Sequence, residues 1–139
     1  MTEYEVVNRQ KQHTQVCYKV VRGNFPDYRS ACVENTPLYY RCGEITKPEF
    51  GQIFVFDTLY NAEQFIKGDR WYTILKCKCD NLDEPTYRLE VDCRYSVVVD
   101  FWRGVYKYSD LCRDFPPGTK LTNWVEVFAI VNNNPWRLE

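Results

Sequence analysis

Three cysteines form the closest group of potential metal ligands in the sequence. Cys77 and Cys79 flank Lys78, and Cys93 follows on the next predicted strand. Zinc requires four ligands that converge on one point. A symmetric hairpin would pair Cys77 with Leu89 and would place Cys93 about 13 Å from Cys77 along the strand. We therefore predict that these cysteines are buried free thiols, with a structural zinc site as the weaker alternative.

A carboxylate in the last predicted strand is the best candidate for catalysis. Glu126 lies between two valines, and strand alternation predicts that it shares a face with Trp124, Phe128 and Ile130. A carboxylate on an apolar face must be paired, protonated or exposed at a pocket. At a pocket, Glu126 would act as an acid or hold a ribose. The alternative is a partly covered face on which Glu126 is simply solvated.

Pairs of a basic and an aromatic residue recur along the chain and are the best candidates for binding. Aromatic rings beside cations bind single-stranded nucleic acid, and arginine and aromatic residues are enriched at protein interfaces. Adjacent residues of a strand point to opposite faces, so an ordinary half-buried strand contains the same pairs. The members nearest to predicted loops, and therefore best able to be exposed together, are Arg70, Trp102, Arg103, Tyr106, Lys107 and Tyr108. The arginines that would meet an acidic target through bidentate contacts are Arg29, Arg41, Arg70, Arg88, Arg94 and Arg103.

Other catalytic machinery is scarce. The only histidine, His13, lies in a polar lead-in, so a Ser–His–Asp or Cys–His site would have to be built on it. Neither of the glycine-rich nucleotide motifs, G-x-x-x-x-G-K-[ST] and G-x-G-x-x-G, occurs. We predict no cofactor and favour a protein without enzymatic activity.

The composition is that of one globular domain without a basic excess. The chain has 139 residues, 45% of them hydrophobic, and a net charge of −1. A protein that coats nucleic acid usually carries a large basic excess, although a local basic face is still allowed here. The sequence begins without the features of a signal peptide, and no apolar stretch approaches about 18 residues. We therefore expect a protein that is not secreted, does not enter a membrane, and keeps its seven cysteines reduced.

Alternation and helical spacing predict the elements that position these residues. Residues 53–56 are apolar on both faces, as in a strand covered on each side. The N-cap Thr58, apolar residues at helical spacing and a following Gly68 predict a helix at about 58–67. The other predicted elements are strands at 15–22, 29–34 and 38–42, a hairpin of 71–79 with 87–99, a candidate second short helix at 105–113, and a last strand at 124–131.

The order of these elements, strands then helix then strands, predicts the fold class. It indicates an α+β domain with a mainly antiparallel sheet of about seven strands. The domain covers residues 15–131, between a polar lead-in (1–14) and a polar tail (132–139).

A set of residues spread over about 16–130 follows an order known from another group of proteins. The set is Tyr18-Lys19-Val20-Val21, Ser30-Ala31, Tyr40, Gly43-Glu44, Pro48, Gly51, Phe54-Val55-Phe56-Asp57, Ala62, Phe65, Phe101-Trp102 and Pro117-Gly118-Thr119. This order resembles small uncharacterised proteins of large DNA viruses, the Marseillevirus group in particular. The resemblance implies a viral accessory or virion-packaged protein in the host cytoplasm, the host nucleus or the particle, and it transfers no catalytic residue.

A second resemblance concerns the predicted helix and the last predicted strand. A short strand precedes a helix with an Ala62-x-x-Phe65 step, and the last strand carries Glu126. This arrangement is similar to the ADP-ribosyltransferase fold, which would make Arg22 and Glu126 the candidate catalytic residues. The glycine-rich cofactor edge of that family is not evident in the sequence.

Two functions follow from these observations. The first is a non-enzymatic interaction protein that binds a protein, its own copy, or protein-coated DNA such as chromatin or a capsid through an aromatic and arginine surface. Nucleic acid or a nucleosome is a second class of partner, and no membrane partner is expected. The alternative is a small nucleotide-handling enzyme centred on Glu126.

Overall fold

A computed structural model describes residues 14–23, 25–30, 38–49, 51–69, 71–85, 89–90, 112–113 and 115–131. The elements are β1 (Gln15–Arg22), β2 (Arg29–Ser30), β3 (Ile45–Thr46), β4 (Ile53–Phe56), α1 (Leu59–Ile66), β5 (Tyr72–Cys79), β6 (Leu89–Glu90), β7 (Cys112–Arg113), β8 (Thr119–Thr122) and β9 (Val125–Ile130). Seven strands form an antiparallel sheet, and β6 with β7 forms a separate pair. The predicted α+β fold is confirmed.

Helix α1 begins and ends where the sequence predicts. The Thr58 hydroxyl accepts a hydrogen bond from the Asn61 backbone N–H at 3.1 Å, which satisfies one of the free donors of the first turn. At the other end, the Lys67 backbone adopts the left-handed conformation with φ 46°, and its N–H donates to the Glu63 carbonyl. Ala62 and Ile66 face the sheet and are buried. These caps confirm the predicted helix.

The strand order requires a strongly curled sheet. The order across the sheet is β3-β9-β5-β1-β4-β8, with β2 pairing to β1 beside β4. Strands β8 and β9 are separated by three other strands, which in a flat sheet would place them about 19 Å apart. Only Asn123 and Trp124 connect them, and that connection spans about 11 Å at most. The sheet therefore curls until β8 and β9 approach each other.

Curling gives the sheet an interior face and an outer face, each with its own core. The interior cluster draws on both ends of the sheet and holds Cys17, Val21, Tyr28, Tyr40, Ile53, Val55, Leu75, Cys77, Cys79, Val125 and Val127. The outer cluster lies between α1 and the sheet and holds Val20, Phe56, Ala62, Ile66 and Ile74. Burial on both faces explains why β4 is apolar throughout.

A β-bulge in β9 changes which residues share a face. Cys77 pairs with Val127, but its neighbour Lys76 pairs with Ala129, so Phe128 is the extra residue. Beyond the bulge the alternation is inverted, and Ile130 packs against the interior cluster. The expectation that Glu126 shares a face with Ile130 is therefore wrong.

The predicted hairpin of residues 71–79 with 87–99 is also wrong. Strand β5 pairs with β1 along its whole length on one side and with β9 from Leu75 to Cys79 on the other. Both edges of that segment are occupied, so no third strand can pair there. Of the predicted partner strand, the described residues Leu89 and Glu90 pair with β7 instead.

Three smaller differences concern the start of β5, the strand β8 and the candidate second helix. Trp71 precedes β5 and is exposed, so it does not share the buried face of Thr73 and Leu75. Strand β8 was not predicted, because Thr-Lys-Leu-Thr shows little alternation after a Pro-Pro-Gly turn. The last two residues of the candidate second helix, 112–113, are strand β7, and the rest of that segment lies outside the described residues.

Candidate interaction surface

The predicted binding residues near loops fall outside the part of the chain that the structure describes. This holds for Arg70, Trp102, Arg103, Tyr106, Lys107 and Tyr108. It also holds for Arg88 and Arg94 of the arginine set, and for Cys93 of the predicted metal ligands. Arg29 and Arg41 are described, and both lie on the same surface.

The two candidate catalytic residues lie far apart. Arg22 is in register with Tyr72 at the start of β5, whereas Glu126 is in register with Lys78 near its end. Tyr72 and Lys78 are six positions apart along β5, which corresponds to about 20 Å. The structure does not bring Arg22 and Glu126 into one site.

The cysteines of β5 meet a third thiol. Cys77 lies directly opposite Cys17 of β1, Cys79 lies two residues further on the same face, and all three are fully buried. A hydrogen bond with Cys77, together with burial, raises the pKa of the Cys17 thiol. The hydrogen bond with Cys17 and burial likewise raise the pKa of Cys79. These thiols are free, as predicted, and the described residues include no group arranged to hold a metal ion.

A lysine lies inside the curled sheet beside the thiols. Lys19 is 2% exposed, and its Nζ donates to the Ser30 hydroxyl at 3.0 Å and the Phe54 carbonyl at 2.7 Å. The ammonium also lies 5.4 Å from the centre of the Tyr40 ring. The Phe54 carbonyl accepts this bond where β1 and β4, which pair only at Tyr18 and Phe56, have separated. The contacts hold β2 and β4 against β1.

An exposed tyrosine that contacts two arginines lies on the surface of the described residues. A bridge between Tyr28 and Tyr40 places residues 38–41 beside β2, with the Tyr40 N–H donating to the Tyr28 carbonyl at 2.8 Å. Because Tyr40 points into the interior, its neighbours Tyr39 and Arg41 point outward. Tyr39 is 37% exposed.

Both guanidinium groups contact the Tyr39 ring. The Arg29 guanidinium carbon lies 4.6 Å from the ring centre, and its Nη2 donates to the Tyr39 hydroxyl. The Arg41 guanidinium carbon lies 5.4 Å from the same centre. Cation–π contacts of this kind hold the planar groups in place before a partner arrives. We call Phe25, Asp27, Arg29, Tyr39 and Arg41 the Arg–Tyr surface.

Of the two arginines in the Arg–Tyr surface, Arg41 forms an ion pair with a described residue and Arg29 does not. Arg41 donates through Nε and Nη2 to Asp27 Oδ1 at 3.1 and 2.8 Å, and this hydrogen bonding raises the pKa of the guanidinium. Arg29 forms no ion pair with any described residue. Phe25, which is 66% exposed, packs edge-on against Tyr28 and extends the apolar part of the surface. The surface therefore offers a cation, an ion pair and two aromatic rings.

A second aromatic ring with two cations lies on the outer face of β5 and β9. The bulge residue Phe128 is 40% exposed, and Lys76 Nζ and Lys78 Nζ each lie 5.7 Å from its ring centre. Val16 and Ile45, at the two ends of the row Val16–Lys78–Glu126–Ile45, are also exposed. We call Lys76, Lys78 and Phe128 the Lys–Phe patch.

The sequence contains part of the information about these two surfaces. It indicates Arg29 and Arg41 as ligands for an acidic target, but sequence reasoning missed Tyr39. Two adjacent tyrosines in a short strand must point to opposite faces, and this would have indicated that one of them is exposed. The Lys–Phe patch was missed because it requires the β5–β9 pairing and the bulge.

Comparisons with known proteins found no match. No protein-family model, curated protein or solved structure matches the chain. In the described part of the chain, no helix has the length and apolar character needed to cross a bilayer.

Proposed function

We propose that this chain is a non-enzymatic interaction protein that binds an acidic segment of a protein partner through the Arg–Tyr surface. The observation that carries the proposal is the contact of the Tyr39 ring with the guanidinium groups of both Arg29 and Arg41. Tyrosine and arginine dominate the binding energy of protein interfaces.

The chemistry of the surface favours a carboxylate-bearing partner. Arg29 keeps donors for a bidentate contact with a carboxylate because no described acidic group pairs with it. Asp27 fixes Arg41, and the exposed rings of Phe25 and Tyr39 supply apolar contact area. An acidic segment with an apolar or aromatic residue would match both properties.

The setting of this interaction stays a prediction of the viral resemblance. A virion-packaged or chromatin-associated protein would meet its acidic partner in the particle or in the host cell. We do not propose the ADP-ribosyltransferase-like alternative, because no observation brings Arg22 and Glu126 together.

Binding of a labelled acidic peptide tests the proposal. The full chain is titrated into a fluorescein-labelled peptide rich in aspartate and glutamate, and anisotropy gives the affinity. We expect the double variant Arg29→Gln/Arg41→Gln to weaken binding about tenfold or more, since arginine anchors are typical hot spots. Reconstituted nucleosomes form a second arm of the same titration.

A charge-matched variant controls for loss of net charge. Lys67→Gln/Lys120→Gln also removes two cations, from the end of α1 and from β8. We expect this variant to bind within about twofold of the wild type, because charges outside the contact surface are largely screened at moderate salt. Equal weakening by both double variants, or no binding by the wild type at low salt, would refute the proposal.

A further inference from the structure

We infer that the Lys–Phe patch is a second binding site, and that its ligand is single-stranded nucleic acid. The site is distinct from the Arg–Tyr surface and does not depend on the function proposed for it. Phe128, Lys76 and Lys78 are its central residues.

The Lys–Phe patch exposes an aromatic ring on the outer face of the sheet. Phe128 follows Val127, which joins the interior core, and its ring lies near Lys76 and Lys78 on the outer face. An exposure of 40% leaves much of this large apolar side chain at the surface. A flat ring at the surface is a stacking platform for a nucleobase.

Two positive charges lie beside the ring. Lys76 and Lys78 lie two residues apart on one face of β5, about 6.6 Å by the rise of a strand. Each ammonium group lies 5.7 Å from the centre of the Phe128 ring. Neither lysine forms an ion pair with a described residue. Both are therefore available to successive phosphates of an extended strand. With Glu126 included, the local charge is still positive.

An exposed ring on a sheet favours a single strand over a duplex. Paired bases are stacked inside a duplex, and a ring that stands on a sheet cannot reach their faces. The exposed apolar residues Val16 and Ile45 flank the patch at the two ends of one row across the sheet. They extend the surface across the strands for neighbouring unpaired bases.

Binding of a labelled oligonucleotide tests this site. Anisotropy of fluorescein-labelled oligothymidylate is followed as the full chain is added, over about 50 to 200 mM salt. We expect Phe128→Leu, which keeps an apolar side chain but removes the ring, to weaken binding by about fivefold or more. We expect Lys76→Gln/Lys78→Gln to lower the slope of log K against log salt by about 1.4, because each phosphate contact on a single strand contributes about 0.7.

Two controls keep this test separate from the proposed function. Lys67→Gln/Lys120→Gln removes the same charge elsewhere and is expected to bind the oligonucleotide like the wild type. Arg29→Gln/Arg41→Gln is expected to lose the acidic peptide but to keep the oligonucleotide. A duplex of the same length is expected to bind more weakly than the single strand.

Several results would overturn the inference. They are an absence of binding at the lowest salt, equal binding of wild type and Phe128→Leu, and an unchanged salt slope in the double lysine variant. A dimeric wild type that becomes monomeric in Phe128→Leu, measured by sedimentation, would show that a second copy of the chain occupies this face instead.

Discussion

The four cysteines whose side chains the structure describes occupy two opposite environments. Cys17, Cys77 and Cys79 are fully buried within the curled sheet, whereas Cys42 is exposed. The thiolate is the reactive form of cysteine. Hydrogen bonding among the buried thiols, together with burial, raises the pKa of Cys17 and Cys79, so these two groups stay protonated and unreactive at neutral pH.

Alkylation of the native protein tests this difference. We expect iodoacetamide at neutral pH to modify Cys42 and to leave Cys17, Cys77 and Cys79 unmodified until denaturant is added, as measured by peptide mass spectrometry. Denatured protein provides the control for intrinsic reactivity. Rapid native alkylation of any of the three buried thiols would contradict the interior cluster.

The sequence predicts which residue types form the candidate site, but it does not predict which residues come together in space. The recurrence of arginine beside tyrosine is visible in the sequence, and it predicts Arg29 and Arg41. Their shared contact with Tyr39 depends on the bridge between Tyr28 and Tyr40, which joins segments that are distant in sequence. Local pattern carries no information about such a pairing.

The connection into β8 depends on a glycine that packs against the start of α1. Gly118 has φ +82°, and its carbonyl accepts a hydrogen bond from the Asp57 N–H at 3.0 Å. A Cβ at this position would collide with the side chains of Asn61 and Asp57, which hydrogen-bond to each other at 2.9 Å. The turn before β8 and the first turn of α1 therefore fit together only with glycine.

Two alanine substitutions separate backbone strain from this collision. Gly68 has a similar φ of +76°, but a Cβ added there would meet no other atom within 4 Å. We expect Gly68→Ala to cost about 1 kcal/mol from the left-handed backbone alone. We expect Gly118→Ala to cost about 2 kcal/mol or more, because it adds a clash. Urea unfolding measures both, and equal costs would contradict the close contact with α1.

Elements are predictable where one local pattern determines them. The caps of α1 and the doubly apolar β4 belong to this class, and both are confirmed. The partners of β5 do not, because β1 and β9 come from opposite ends of the chain. The short loop after β5 favoured a hairpin, but pairing with distant strands occupies both edges of the segment from Leu75 to Cys79.

At the scale of the whole described sheet, the buried carboxylate of Asp80 links β5 to the corner between β8 and β9. Asp80, at the end of β5, accepts hydrogen bonds from the Thr122 hydroxyl at 2.7 Å and the Asn123 N–H at 3.1 Å. Its other oxygen accepts from the Asn123 side-chain amide at 2.8 Å. Thr122 and Asn123 form the corner between β8 and β9, so Asp80 fastens the point where the two ends of the sheet approach each other.

Removal of this carboxylate is expected to destabilise the fold. Asp80→Ala leaves three donors without their acceptor, and we expect a loss of about 3 kcal/mol in the free energy of unfolding. Asp83→Ala is the control, since among the described residues the Asp83 side chain accepts only from Gln52, and about 0.5 kcal/mol is expected. Chemical denaturation monitored by tryptophan fluorescence measures both, and a cost for Asp80→Ala no larger than for Asp83→Ala would contradict this role.

In the function we propose, the curled sheet presents the Arg–Tyr surface to an acidic partner. Backbone amide shifts of the ¹⁵N-labelled full chain, followed by NMR during titration with the acidic peptide, test this claim most directly. We expect the largest shifts at Arg29, Tyr39 and Arg41, with little change in α1. Shifts concentrated elsewhere, or none when peptide is in excess at low salt, would contradict it.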